Sequence, residues 1–264
     1  MTATARDAPG GEPAPETLRL LAELHRDAAR QGPGGDDETR LALTLSGLRG
    51  RSGLSIADIG CGTGAATLVL ATELDAHITA VDLLPDFLEP LEARAAAAGL
   101  ADRITTRACP MEDLPFADGS LDAIWAEGAI YNMGFEAGAA AWRRMLKPGG
   151  ILAVSEITWL TAARPAELEA HWNREYPGIG TASEKLAVLE RHGYVPIGYF
   201  PLPETCWLDN YYRPLERRFD RFLADHPSPA ARGIVAAERA EIALYERHRT
   251  HFSYGFYIAR RFDP

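Results

Sequence analysis

Chemistry in this sequence concentrates in one glycine run. Asp58-Ile59-Gly60-Cys61-Gly62-Thr63-Gly64 sets three glycines at alternate positions directly after an apolar stretch. A glycine turn that leaves a strand and opens a helix lets backbone N–H groups approach a ligand closely. A dinucleotide fingerprint would read G-x-G-x-x-G, and a P-loop would continue into Gly-Lys-Ser/Thr. The run here is G-x-G-x-G with no lysine after it. Neither a pyrophosphate nor a triphosphate is favoured. Gly60, Gly62 and Gly64 are expected to contact a cofactor. Asp58 either braces the loop or meets the cofactor directly. Asp82 ends the next apolar run, 18 residues after Gly64, a length that one helix and one strand fill.

Further candidates sit where later strands end. Glu127 follows the fourth strand, where it could act as a base, hold the reacting end of a cofactor, or cap a helix. Tyr131 lies four residues on. Glu127 and Tyr131 are the candidate catalytic groups. Glu156 lies at the end of the fifth strand. Trp159, Trp207 and Tyr211, together with Trp172 and Tyr212, form a dense aromatic set. Packing is the default role of any one of them. One or two lining a pocket would suit a planar or cationic substrate. Tyr131, Glu156, Trp159, Trp207 and Tyr211 are therefore the candidate substrate contacts. The seven histidines show no zinc spacing, and Cys61, Cys109 and Cys206 form no CxxC pair. No metal is expected, and the thiols read as reduced.

The elements that must position these residues alternate between periods of two and 3.6. Strands are predicted at Leu54–Ile59, His77–Asp82, Ile104–Ala108, Leu121–Ala126 and Ile151–Ile157. Helices are predicted at Ala65–Leu74, Pro85–Ala98 and Ala137–Leu146, with Lys147–Gly150 as a turn. This βαβ alternation implies a mostly parallel, doubly wound α/β sheet covered on both faces. Two helices precede it, broken by Gly32-Pro33-Gly34-Gly35. In the last third, strands at Tyr194–Phe200 and Phe252–Phe262 flank some fifty residues of helical pattern. A connection that long is usually functional, and it reads as a cap over the site. The chain divides into a disordered tail at 1–15 and one domain at 16–264. Within that domain, 16–50 are lid helices, 54–157 the cofactor-binding core, and 158–264 the substrate side.

Composition narrows the partners. The 264 residues are 47% hydrophobic and 24% charged, which is ordinary for a globular protein. Lys and Arg number 27 against 37 Asp and Glu, a net charge of −10. A nucleic-acid binder normally carries a basic surplus, so neither nucleic acid nor an anionic membrane is an expected partner. There is no signal-peptide pattern and no apolar run long enough to span a bilayer. A cytoplasmic protein is expected, and a homodimer is compatible with the composition.

The motif set resembles class I S-adenosylmethionine-dependent methyltransferases over residues 54–157. Asp58–Gly64 is similar to the family's first motif, Val81-Asp82-Leu83 to its second strand end, and Met111–Phe116 to its adenine-side loop. Leu121–Ile124 resembles the fourth strand and Leu146–Leu152 the turn before the fifth. Arg30–Gly34, Glu127–Asn132, Ser155-Glu156 and Leu202–Trp207 are similar to a narrower bacterial group. The resemblance implies a Rossmann-like seven-stranded fold with N-terminal lid helices and a helical insertion before the last strand. It implies S-adenosylmethionine as cofactor, with Asp82 and Leu83 on the ribose side and Met111 and Glu112 near the adenine. Gln31 and Gly32 would cross the cofactor, and Glu127 would touch it. One position departs from the family: Pro110 stands where an acidic residue often meets the adenine amino group.

The function implied is methyl transfer to a small-molecule acceptor. An RNA or protein methyltransferase, or a non-catalytic S-adenosylmethionine-binding protein, are the alternatives. A nicotinamide-dependent reductase is disfavoured by the missing dinucleotide spacing and by the absence of a Tyr-x-x-x-Lys pair.

Overall fold

The computed structural model describes residues 15–263. The tail read at 1–15 lies, except for its last residue, outside them. Seven strands form one sheet in the order β3-β2-β1-β4-β5-β8-β7. They are β1 (Leu54–Ile59), β2 (Ala76–Asp82), β3 (Ile104–Ala108), β4 (Leu121–Glu127), β5 (Leu146–Trp159), β7 (Tyr194–Pro201) and β8 (Phe252–Arg261). A two-residue strand, β6 (Gly180–Thr181), pairs with the end of β5. Strand β8 runs antiparallel to both β5 and β7, and the other pairs are parallel. Strand order reverses between β1 and β4, which is where a doubly wound sheet opens a crevice at its carboxyl edge.

Alternate residues of each strand serve opposite faces. Ile56, Trp125, Ile151 and Ala153 pack into one core cluster, and Ala57, Ile124, Leu152 and Val154 into the other. Helices α2 (Asp36–Ser46) and α3 (Ala65–Glu73) cover the first face, with α5 (Phe135–Trp142) and α7 (Ala182–Arg191) on the second. Helix α4 (Pro85–Ala97) starts at a proline, and the left-handed Gly99 follows its last turn. The Lys147–Gly150 segment predicted as a turn is instead absorbed into a long β5. Gly149 has φ 75°, and the register against β4 slips between Leu121 and Ala123. The turn chemistry is used as a bulge inside a strand.

Between β7 and β8 the chain is helical. Helix α8 (Glu204–Trp207) passes through a π-helical turn at Leu208–Tyr212 into α9 (Arg213–Asp225), and α10 (Pro229–His248) follows. An α-helix would turn Trp207 and Tyr212 to different faces. The wider turn instead lets Trp207, Tyr211 and Tyr212 all be buried. Helix α1 (Pro15–His25) packs on α9 and α10. The loop from α1 to α2 then crosses the carboxyl edge of the sheet, and α6 (Ala166–Glu175) lies beyond β5.

Candidate active site

The glycine loop closes over the end of β1. Gly60 and Cys61 donate their backbone N–H groups to Val81 O at 2.8 and 3.0 Å, and Gly64 N–H donates to Cys61 O at 2.9 Å. All three glycines have positive φ. Each is also crowded by protein: a Cβ at Gly60, Gly62 or Gly64 would stand 2.3, 2.2 or 2.1 Å from Ala129, Gln31 or Leu91. The spacing that reads as ligand approach in sequence is therefore demanded first by neighbouring side chains.

Asp82 binds the loop as well as facing the cleft. Its Oδ2 accepts Gly62 N–H at 2.9 Å and its Oδ1 accepts Leu84 N–H at 3.0 Å. A carboxylate has about four lone-pair directions, so each oxygen keeps one for a ligand. Burial raises its pKa, and the backbone donors pull against that shift. Asp58 is buried at the foot of the loop and accepts the Thr67 hydroxyl at 2.6 Å. Burial pushes its pKa up to about 7 against the pull of that hydroxyl.

Glu127 is held on three sides. Its Oε1 accepts Trp125 Nε1–H at 2.9 Å and the Thr39 hydroxyl at 2.7 Å, and its Oε2 accepts Arg30 Nη1 at 2.9 Å. Arg30 also reaches Asp36 at 3.0 Å. This network straps the α1–α2 loop across the cleft. Gln31 straps it a second time, accepting Thr63 N–H at 2.9 Å and donating to Thr63 Oγ1 at 3.0 Å. Asn210, in the π-turn, donates to Gly34 O at 2.8 Å.

These elements enclose a cleft of about 220 Å³. Gly32, Asp58, Asp82, Leu83, Met111, Glu112 and Tyr131 line it with Gly60, Cys61 and Gly62, and so do Gln31 and Glu127. Gly64, expected at the cofactor, is not in the lining and packs against Leu91. Leu84, Phe87 and Pro110 supply further apolar wall. Among the described residues no group of three His, Cys, Asp or Glu could hold a metal ion.

A second cavity of about 30 Å³ shares Gly32, Pro33 and Tyr131 with the first. Trp207 and Tyr211 line it. Glu156 and Trp159 do not. Glu156 is fully buried with Lys185 Nζ 3.1 Å away, and Trp159 lies beneath the Arg164 guanidinium, its ring edge-on to Phe252. Both sit on β5, but their side chains go to the sheet interior. Trp172, named in the aromatic set, also lines the smaller cavity, whereas Tyr176, Tyr254 and Glu241 were not picked out from the sequence. Trp172 and Tyr176 lie one helical turn apart, a spacing visible in the sequence. Tyr254 and Glu241 carry no local signal, because the sheet and α10 bring them in from far along the chain. Thr39, a tie of the strap, was likewise not picked out, and Arg30 was named only within the Arg30–Gly34 segment.

Residues 56–150 match the methyltransferase domain family. The chain carries a methyltransferase domain. Strands β2, β3 and β4, most of β1, the glycine loop and Asp82 fall inside that match. The 27-O-demethylrifamycin SV methyltransferase of Amycolatopsis mediterranei is 32% identical over 143 residues, 52% of this chain and 50% of that one. The chain thus spans about half the length of that curated relative. The methyltransferase domain and its flanks together superimpose on a SAM-dependent methyltransferase of Geobacter sulfurreducens, solved with S-adenosyl-L-homocysteine. The TM-score is 0.78 at 20% identity, covering 93% of this chain and 98% of that chain. A cyclase, SpnF, aligns with a TM-score of 0.74 at 22% identity, over 94% and 93%. At these identities the two structures establish the methyltransferase fold and nothing about the acceptor.

Proposed function

We propose that the protein transfers a methyl group from S-adenosylmethionine to a small-molecule acceptor. The observation that carries this reading is the pair of joined cavities, a larger one on the glycine loop and a smaller aromatic one, meeting at Tyr131 and Gly32-Pro33. The donor set of the larger cavity fits the cofactor. Asp82 retains acceptor capacity for two ribose hydroxyls. Asp58 offers a carboxylate to an amino group, and Leu83, Phe87 and Met111 offer apolar wall to a planar base. Glu112 is exposed on the rim near Pro110, placed to reach the adenine edge where the family pattern has its acid two positions earlier.

When bound, the cofactor supplies a methyl group already activated by its sulfonium. The protein then has to align the acceptor and exclude water. Arg30 and Gln31 tie the strap over the cleft, and Tyr131 stands at the junction of the cavities, where it orients the acceptor. Glu127, with three donors on its two oxygens, holds the strap in place. Residues 16–50 serve as the lid, 54–157 as the cofactor core and 158–264 as the acceptor side of one domain. No described helix is long and apolar enough to cross a membrane. The acidic balance supports a cytoplasmic protein without a nucleic-acid partner, and a homodimer is compatible with it.

Calorimetric titration of S-adenosylmethionine and S-adenosylhomocysteine into wild type and Asp82→Ala tests the reading. Saturable binding to wild type is expected, weakened at least tenfold, or about 1.4 kcal/mol, in the variant. A folded wild type that binds neither compound at millimolar concentration would overturn it.

A further inference from the structure

We propose that the smaller cavity is an ammonium site, and that the acceptor is a small aliphatic amine held among aromatic rings with its N–H groups on Glu241. The proposal rests on the methyltransferase reading for its reaction and on the cavity itself for its ligand. Of the ten residues lining the cavity, six are aromatic: Tyr131, Trp172, Tyr176, Trp207, Tyr211 and Tyr254. The single charged one is Glu241. Ring faces attract cations through their quadrupoles, and more strongly when the cation is desolvated. An anionic acceptor would meet the Glu241 carboxylate and the ring faces here.

The surroundings of Glu241 point the same way. It is buried on α10, and its Oε1 accepts the Tyr212 hydroxyl at 3.0 Å. Among the described residues no lysine or arginine pairs with it. A buried carboxylate without a counter-charge is costly unless a cation or a proton supplies one. Burial, and then the neighbouring Glu238 carboxylate, raise its pKa. Beside it the Tyr211 hydroxyl is buried without a hydrogen-bond partner among the described residues, as is the indole N–H of Trp172. A buried polar atom left unpaired is uncommon enough to ask for a ligand. Tyr211 can accept a second N–H from an ammonium.

Size limits the acceptor. About 30 Å³ open to the centre of a water-sized sphere is two to three times the roughly 10–15 Å³ that one water requires, so a head group of two or three heavy atoms fills the cavity as it stands. An ammonium is not a nucleophile until an N–H bond breaks with its electron pair left on nitrogen. Glu241 is placed to take that proton. The freed nitrogen pair then forms the N–C bond to the methyl group as the methyl–sulfur bond breaks, its electrons leaving on the sulfur of S-adenosylhomocysteine, and the proton is returned to water.

The test uses the full-length protein, with and without S-adenosylhomocysteine, titrated with dimethylammonium chloride against 2-propanol at fixed ionic strength. The indole fluorescence of Trp172 and Trp207 reports occupancy. Saturation by dimethylammonium at ~millimolar concentration, at least tenfold tighter than any effect of the alcohol, is expected. Glu241→Gln should lose at least tenfold while S-adenosylhomocysteine affinity stays unchanged. Equal response to the cation and the alcohol, no saturation by either, or an undiminished response in a folded Glu241→Gln would overturn the proposal. The wild-type comparison decides even if the variant does not fold. Normal S-adenosylhomocysteine binding alongside such a result would sink the amine site and leave the methyltransferase reading standing.

Discussion

At the scale of single residues, the carboxylates of this protein divide by what surrounds them. Asp82 spends half its acceptor capacity on its own loop and keeps half for a ligand. Glu127 is held by an arginine, an indole and a hydroxyl, which is the environment of an anchor. Glu156 is buried against Lys185, whose Nζ also donates to Gly178 O at 2.9 Å and lies 4.7 Å over the Phe135 ring. Burial raises the Glu156 pKa, and the lysine pulls it back toward the ordinary range. A carboxylate whose folded pKa is raised costs stability once ionised, so its penalty is absent at low pH and grows as pH rises. Lys185→Met removes the compensating charge and lifts the folded value further. The variant is expected to lose about 3–5 kcal/mol at pH 7 and visibly less at pH 5, measured by urea denaturation at both. Equal losses at the two pH values would show that Lys185 contributes packing and not charge.

Elements meet at the glycine loop. The strap between α1 and α2 lies so close to it that the Gly62 hydrogen faces the Gln31 side-chain oxygen, and the lid and the cofactor loop are mechanically one unit. Gly62→Ala puts a methyl where Gln31 Oε1 sits and forces alanine to φ +54°. A loss of about 1–3 kcal/mol is expected from the strained backbone and the contact together. In a Gln31→Ala background the contact part disappears and only the φ cost remains. A double-mutant cycle by thermal unfolding should therefore show coupling between the two sites. Additive losses would mean that the strap does not rest on the loop in solution. The π-turn at Leu208–Tyr212 acts at the same scale. It brings Tyr211 to the smaller cavity, directs Tyr212 to Glu241, and ties Asn210 to the strap, so the wall of that cavity and the strap share one short segment.

For the whole molecule, the sheet's strand reversal places the cofactor cleft, and the long excursion between β7 and β8 supplies the wall that faces it. Helix α1 packs on that excursion, so an early helix and a late one meet beside the same site. The chain carries a net charge of −10, which disfavours the phosphate contacts that release counterions from a polyanion. No electrophoretic shift of tRNA is expected at ~0.15 M salt. A salt-sensitive shift there would turn the reading toward an RNA acceptor.

The cofactor half of this protein was legible in its sequence because it is local. Asp58, the three glycines and Asp82 lie within 25 residues of one another, and one strand–turn–helix–strand unit brings them together whatever the rest of the chain does. Even so, sequence could not say that the glycines are crowded by Gln31, Ala129 and Leu91, since those contacts come from other elements. The smaller cavity was only partly legible: Tyr131, Trp207 and Tyr211 line it, but Glu156 and Trp159 do not. Glu156 and Trp159 follow a strand as a site residue would, and only the pleat of β5 and the packing of α7 and β8 turn them inward. Glu241 reads as one more acid on an amphipathic helix. Tertiary structure alone makes it the charged wall of an aromatic cavity, because α10, α6, the π-turn and β8 each contribute one or two side chains from positions far apart in the chain. Local spacing encodes what a single supersecondary unit brings together, and a pocket built from many separate elements exists only once the chain has folded.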